Sequence, residues 1–250
     1  SINRINHNII IIKKDKFNIE NVKCEITPKN INKTFLNINY LLSKETNFNQ
    51  LKLDGLFLET NKTNLFSEIK VIPNLKNKYI VELPLINNSK LLTIFSDIDT
   101  KFNKLINNTK TNISNTKKIT NSLENDLKMI NYLNIIKKKT ILFNDNKYNY
   151  NYVKLKLNSN ECLMFYNNKP FYNKLETLNY NSISINCIIQ SFGMWKYDNT
   201  YGLTWKIIKM YIEDTNINNL NNSIMNNEIN INDFDYIFKK NKSKKKQIIK

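Results

Sequence analysis

Residues Ser191–Ile212 read SFGMWKYDNTYGLTWKIIKMYI. This stretch holds both tryptophans of the chain and two of its three glycines. Two aromatic-rich segments flank an Asp-Asn-Thr turn, a composition typical of a β-hairpin. In the second segment, strand alternation puts four residues on one face: Tyr201, Leu203, Trp205 and Ile207. We expect this face to close the hydrophobic core.

The tip of the hairpin carries a different chemistry. Trp195, Lys196 and Tyr197 precede the turn, and Lys206 follows the second tryptophan. Aromatic rings beside lysines favour a binding surface, while a simple extension of the core is the alternative. Gly202 would let a neighbouring backbone or a bound strand come close.

The whole chain divides into five segments. Residues 1–21 read as an N-terminal arm, and 22–86 as a series of short alternating strands. A helical insert follows over 89–134, strands return over 140–213, and 214–250 form an Asn-rich and Lys-rich tail for which we expect disorder. The three middle segments are expected to form one domain. This order predicts an α+β fold with an antiparallel β core, as an OB-like barrel or a related sheet.

Local spacing adds detail to this prediction. The leucine alternation changes phase at Gly55, which predicts a β-bulge. After Ser89 the apolar spacing becomes helical, with inward positions at Leu91, Ile94, Phe95, Ile98, Phe102 and Leu105. A second helical spacing covers 119–130, with a polar loop between the two helices. Asp97 and Asp99 are expected on the solvated side of the first helix.

The net charge of the chain is +17 and its pI is near 9.6. A field of this size favours polyanionic partners, nucleic acid before an anionic membrane. Three scattered cysteines without a C-x-x-C pair argue for reduced thiols, and against disulfides or a zinc site. No apolar run is long enough to span a bilayer and no signal peptide is evident, so we expect a soluble, intracellular protein.

The segment NKYNYNYVKLKLN contains a row of aromatic and basic residues. Strand alternation places five of them on one face: Tyr148, Tyr150, Tyr152, Lys154 and Lys156. Val153, Leu155 and Leu157 then face the core. Tyrosine rings offer any base a stacking surface and lysines follow phosphates, which is the chemistry of single-strand binding. The alternative is a solvated strand face, or tyrosines covered by another element.

Enzyme signals are sparse. The single histidine, His7, lies in the predicted arm, and no phosphate-binding or nucleophile motif is present. The pattern of Asp54, Glu68 and Lys70, on strands expected to be adjacent, resembles the D…E-x-K site of Mg²⁺-dependent nucleases. A nuclease is therefore one alternative function. A basic structural or ribosomal protein that touches nucleic acid without a groove is another.

Two stretches carry a resemblance to a known group. The block around Tyr201-Gly202-Leu203-Thr204-Trp205 is similar to the last hairpin of single-stranded DNA-binding proteins of large DNA viruses, including insect viruses of the poxvirus and baculovirus kind. Lys78–Phe102, a strand running into an amphipathic helix, resembles the poxvirus single-strand binder. The two stretches cover about a quarter of the chain. Many single-strand binders end in an acidic tail, whereas this chain ends in lysines, which puts partner recruitment by the tail in doubt.

The resemblance implies an OB-like core that coats single strands during viral genome replication or recombination, in the host nucleus or at a viral replication site. The leading prediction is therefore a sequence-independent single-stranded DNA-binding protein, with RNA as an alternative ligand. No catalytic residue, metal or cofactor is expected. The predicted contact residues are Tyr148, Tyr150, Tyr152, Lys154, Lys156, Trp195, Lys196, Tyr197 and Lys206. Coating of a strand would bring copies of the protein together as a homo-oligomer.

Overall fold

Short strands fill most of the residues that the computed structural model describes, namely 10–26, 36–42, 51–116, 131–143, 146–191, 193–197 and 200–215. The first seven strands are β1 (Val22–Ile26), β2 (Leu36–Leu42), β3 (Leu51–Asp54), β4 (Leu56–Glu59), β5 (Thr63–Asn64), β6 (Lys70–Val71) and β7 (Lys78–Pro84). One long helix follows, α1 (Ser89–Thr116). The later strands are β8 (Asn131–Leu133), β9 (Ile136–Phe143), β10 (Asn146–Asn158), β11 (Leu163–Tyr166), β12 (Lys169–Pro170), β13 (Ile183–Ser191), β14 (Gly193–Tyr197), β15 (Thr200–Leu203) and β16 (Lys206–Asp214).

The described strands form two sheets. The six-stranded sheet has the order β1-β2-β14-β15-β8, with β3 also paired to β2. The ten-stranded sheet has the order β12-β11-β16-β10-β7-β6, with β13, β4, β5 and β9 attached to it. Most pairs are antiparallel, while β10 and β11 run parallel to β16, and β8 runs parallel to β15. The predicted α+β class is confirmed, but the described strands close no barrel.

Four consecutive strand pairs among the described strands pass from one sheet to the other after a short break, and the residues of the break are described for three of them. β3 leads into β4 at Gly55, β8 into β9 through Asn134 and Ile135, and β15 into β16 through Thr204 and Trp205. Strands that switch sheets at such bends are typical of sheets packed at a steep angle. Gly55 has a φ of 98°, a backbone conformation that a residue with a Cβ adopts only with strain. The β-bulge predicted at Gly55 is wrong, because the chain bends there from one sheet into the other.

Helix α1 packs against the core through the face that its spacing predicts. The buried side chains are Leu91, Ile94, Phe95, Ile98, Phe102 and Ile106. Leu105, predicted to face inward, is 39% exposed, because Ile106 takes the inward position instead. The helix continues to Thr116, so the loop predicted after the first helix is wrong over 107–116. The second predicted helix, over 119–130, lies outside the described residues.

Both ends of the predicted domain differ from expectation. Residues 10–21 of the arm pack on the domain, since Ile12 is buried and its N–H donates to the carbonyl of Phe57 at 2.9 Å. Strand β8 occupies the end of the segment predicted as helical. Nearly all of the predicted tail lies outside the described residues. No helix within the described ranges is long and apolar enough to cross a bilayer.

Candidate nucleic-acid interface

Strand β10 divides its residues between two sides of the ten-stranded sheet. Val153, Leu155 and Leu157 are almost fully buried, as predicted, and Lys154 and Lys156 are exposed on the other side. We call this second side the outward side, because the first contributes to the hydrophobic core.

Neighbouring strands add lysines to the same outward side. In β9, Lys137 pairs with Tyr152 and Lys139 with Tyr150. In β16, Lys206 pairs with Lys156. Because directly paired residues share a side of a sheet, these lysines converge on one surface. We call this surface the basic face and define it by Lys70, Lys137, Lys139, Tyr152, Lys154, Lys156, Lys206 and Glu82.

One buried carboxylate organises the lysines of the basic face. Glu82, opposite Lys154 on β7, is only 6% exposed. Its Oε2 accepts from Lys139 Nζ at 2.9 Å and from Ser67 Oγ at 3.2 Å, and its Oε1 accepts from Lys70 Nζ at 3.1 Å. Burial alone would raise the pKa of Glu82, but the hydrogen bonds from Lys139 and Lys70 outweigh it, so the pKa lies below its ordinary value. The carboxylate therefore stays ionised and fixes these two ammonium groups.

The predicted row of exposed tyrosines is only partly formed. Tyr150 is 7% exposed, because Phe66 covers its ring edge-on at a centroid distance of 5.3 Å. Burial is also the main cause of its raised pKa. Tyr150 therefore cannot offer a face to a base, and the alternative of a covered tyrosine is the correct one at this position. The side chain of Tyr148 lies outside the described residues.

Tyr152 is the aromatic member of the basic face. Its ring is partly exposed and lies 6.1 Å from that of Tyr150. The ammonium group of Lys139 lies 6.0 Å from the centroid of Tyr152. The buried Tyr150 and the ion-paired Lys139 thus both lie beside the ring of Tyr152, which is partly exposed at the surface.

The hairpin of β14 and β15 presents a second aromatic group. Trp195 pairs with Gly202 and Tyr197 with Thr200, which places these four residues on one side. Tyr197 is 79% exposed and Trp195 is partly buried. Met194 on the opposite side is buried in the core. The side chain of Lys196, which was predicted to join this surface, lies outside the described residues.

Gly202 has a specific role in this hairpin. A Cβ at this position would lie 2.5 Å from Cζ2 and 2.8 Å from Cε2 of Trp195. The indole ring therefore lies across the bare backbone of the opposite strand, an arrangement that covers a strand glycine with an aromatic side chain. The close neighbour expected for this glycine is thus the ring of Trp195.

Gly202→Ala is expected to destabilise the protein, because the added methyl group cannot fit beneath the indole of Trp195. Overpacking of this kind costs about 1–3 kcal/mol. Urea denaturation followed by circular dichroism measures the loss in the free energy of unfolding. In a Trp195→Leu background the same substitution should cost clearly less. An equal cost in both backgrounds would show that the indole is not the obstacle.

The hairpin is joined to the basic face through the break between β15 and β16. From Thr204 to Ile207 the burial alternates, since Trp205 and Ile207 are buried while Thr204 and Lys206 are partly exposed. The backbone N–H of Lys156 donates to the carbonyl of Trp205 at 2.9 Å. Strand β10 is therefore hydrogen-bonded to the chain at the break between β15 and β16. Gly202 and Lys206 are four residues apart across this break, so they are separated by at most about 13 Å. The prediction that Trp205 belongs to the core is confirmed.

The residues of the predicted nuclease pattern do not lie on adjacent strands. Asp54 ends β3 in the six-stranded sheet, where it pairs with Asn39. Glu68 lies between β5 and β6, and Lys70 on β6 is ion-paired with Glu82. The adjacency expected from the sequence is therefore wrong. Within the described ranges, no group of three or more His, Cys, Asp or Glu residues could hold a metal ion.

Asp99 is buried, contrary to the prediction of a solvated position. Its carboxylate accepts from the N–H of Ile135 at 2.9 Å and 3.0 Å, from the N–H of Ile136 at 3.3 Å and from the hydroxyl of Tyr132 at 3.0 Å. Burial raises the pKa of Asp99 although these hydrogen bonds oppose the shift. By capping the bend between β8 and β9, Asp99 fixes the start of the strand that carries Lys137.

Four residues of this region were not predicted from the sequence to belong to the site: Glu82, Asp99, Lys137 and Lys139. Lys137 and Lys139 belong to a run of three lysines, so the sequence alone did not single out these two. Glu82 was readable as the single carboxylate within a mostly apolar strand. Asp99 gave no such signal, because its partners are backbone groups more than thirty residues away.

No protein-family model matches this chain, and no curated protein matches it by sequence.

Proposed function

We propose that this protein binds single-stranded nucleic acid without sequence preference, along the basic face and the hairpin of β14 and β15. The observation that carries the proposal is the convergence of lysines from β6, β9, β10 and β16 around Tyr152, with Glu82 as the carboxylate that holds two of them. The net charge of +17 supports the same class of partner.

The two kinds of side chain have separate roles in this proposal. Lys154, Lys156 and Lys206 contact phosphates and contribute affinity through counterion release. The rings of Tyr152, Trp195 and Tyr197 stack on bases, and every base has a face to offer. Bases within a duplex are already stacked on each other, so a single strand is the preferred ligand.

The OB-like fold, the biological role and the choice between DNA and RNA are also part of the proposal. Strands that bend from one sheet into the other are compatible with an OB-like arrangement, the fold that the viral resemblance implies. That resemblance further suggests a role in viral genome replication or recombination, with several copies along one strand. DNA is the proposed ligand, with RNA as the competitor to test.

Titration with oligo-dT at two salt concentrations tests the proposal. We expect quenching of the emission of the partly exposed Trp195, and an affinity that falls with salt by a slope of about −0.7 for each phosphate neutralised. A duplex of the same length should bind more weakly, and oligo-U separates RNA from DNA. An emission and an anisotropy that stay constant at low salt would rule the proposal out.

A further inference from the structure

A second cluster of aromatic and basic side chains lies on β11 and β16. The rings of Phe165 and Tyr211 are stacked, with centroids 5.3 Å apart and planes 20° from parallel. The ammonium group of Lys209 lies 4.8 Å from the centroid of Tyr211 and 5.4 Å from that of Phe165. We call these three residues the aromatic patch. It contains none of the residues that the sequence predicted as contacts.

The aromatic patch lies on the outward side of the ten-stranded sheet. Ile189 pairs with Ile207 but Ile188 pairs with Lys209, so Ile208 is an extra residue in β16. Without this irregularity Lys209 would point into the core, because it is three residues from Lys206. The bulge shifts the alternation of side chains by one residue, so that Lys209 faces outward. Met210 and Ile212 are then fully buried on the inward side. Lys206, Lys209 and Tyr211 therefore share one side of the strand.

The patch continues the path of the basic face. Tyr211 is five residues beyond Lys206, at most about 17 Å along the strand. The neighbouring Leu163, opposite Lys209, is 58% exposed, so the surface beside the patch is open. Beyond the patch, Glu213 is ion-paired with Lys62. A carboxylate at this point marks the end of the surface that favours a polyanion.

We propose that the aromatic patch is a second base-stacking site, at the far end of the path that a single strand follows from Trp195 across Lys206. This inference rests on the proposed function and extends it to a longer footprint. Lys209 is held over the two rings by cation–π attraction. A phosphate attracts the same ammonium group. When the Lys209 side chain turns to the phosphate, a base can take the place of the ammonium group on the exposed ring surface. The patch therefore engages only a strand long enough to reach it.

The test compares short and long oligo-dT on paired variants. Tyr211→Leu and Phe165→Leu remove the ring faces but retain apolar bulk, whereas Tyr211→Phe and Phe165→Tyr retain the rings. For an oligonucleotide of about fifteen nucleotides, the leucine variants should bind at least about fivefold more weakly than wild type. The aromatic variants should bind like wild type. For a short oligonucleotide of about five nucleotides, all four variants should match wild type.

The outcome separates this inference from the proposed function. If the wild type binds both lengths and the leucine variants retain full affinity for the longer one, the second site is refuted and the proposed function stands. If the wild type binds neither length, the proposed function itself fails. Lys209→Gln provides an independent check, because it should lower the salt dependence for the longer oligonucleotide by about one phosphate contact.

Discussion

Lys154→Glu combined with Lys156→Glu is expected to lower the affinity for oligo-dT by about 100-fold or more at low salt. Both lysines are exposed on the basic face, and each lost contact to a charged group costs about 1.5–3 kcal/mol. The two new carboxylates would also repel the phosphates. Fluorescence anisotropy with a labelled oligonucleotide measures the loss, and circular dichroism verifies that the variant is folded.

The matched control is Lys90→Glu combined with Lys104→Glu. These two lysines are exposed on α1, which packs on the inward side of the sheets through Phe95 and Trp205. The control changes the net charge by the same amount but leaves the basic face intact. A similar loss of affinity in both double variants would mean that net charge alone drives binding, and that the basic face has no special role.

Trp205→Ala is expected to lower the free energy of unfolding by about 3–5 kcal/mol, the usual cost of removing a buried aromatic side chain. Trp205 is 2% exposed and meets Phe95 edge-on at a centroid distance of 5.0 Å. It also lies at the break between β15 and β16, where its carbonyl accepts from the N–H of Lys156. The substitution therefore removes the contact between α1 and the bend that joins the two sheets.

Trp195→Ala is the control for this prediction. Trp195 is partly exposed on the other side of the hairpin, so its loss should cost no more than about 2 kcal/mol. Denaturant titration followed by circular dichroism compares the two variants without relying on tryptophan emission. Equal losses would contradict the division of the hairpin into an inward core side and an outward surface side.

Alternation and spacing predicted the parts of this fold that depend on local burial. The inward face of β10, most of the inward face of α1 and the core position of Trp205 all follow from neighbouring residues in the sequence. The phase change of the leucine pattern at Gly55 was also readable, although it marks a bend between the sheets and not the predicted β-bulge.

Features that depend on distant partners could not be predicted in this way. The ring of Tyr150 is buried only because Phe66, more than eighty residues away, folds over it. Asp99 is buried because two backbone N–H groups of a later strand point at its carboxylate. Strand alternation says which side a residue faces, but not what covers that side.

The residues of the candidate site also divide into those predicted from one strand and those that depend on distant partners. Lys154, Lys156 and Tyr152 were assigned from one strand and lie on the basic face. Lys137 and Lys139 join them only through the pairing of β9 with β10, and Lys209 faces the outward side only through the bulge in β16. Pairing and register are long-range properties of a sheet, so a single strand read alone does not reveal the complete surface.

Cross-linking to a bound strand shows which residues of the protein contact nucleic acid. An oligo-dT of about twelve nucleotides, within the usual range of a single-strand binding site, would carry photoreactive 5-iodouracil and be irradiated on the protein. Peptides joined to it are then identified by mass spectrometry. We predict cross-links at Tyr152 and at Trp195 or Tyr197, on the outward side of the two sheets. Cross-links confined to α1 or to residues 216–250 would contradict the account.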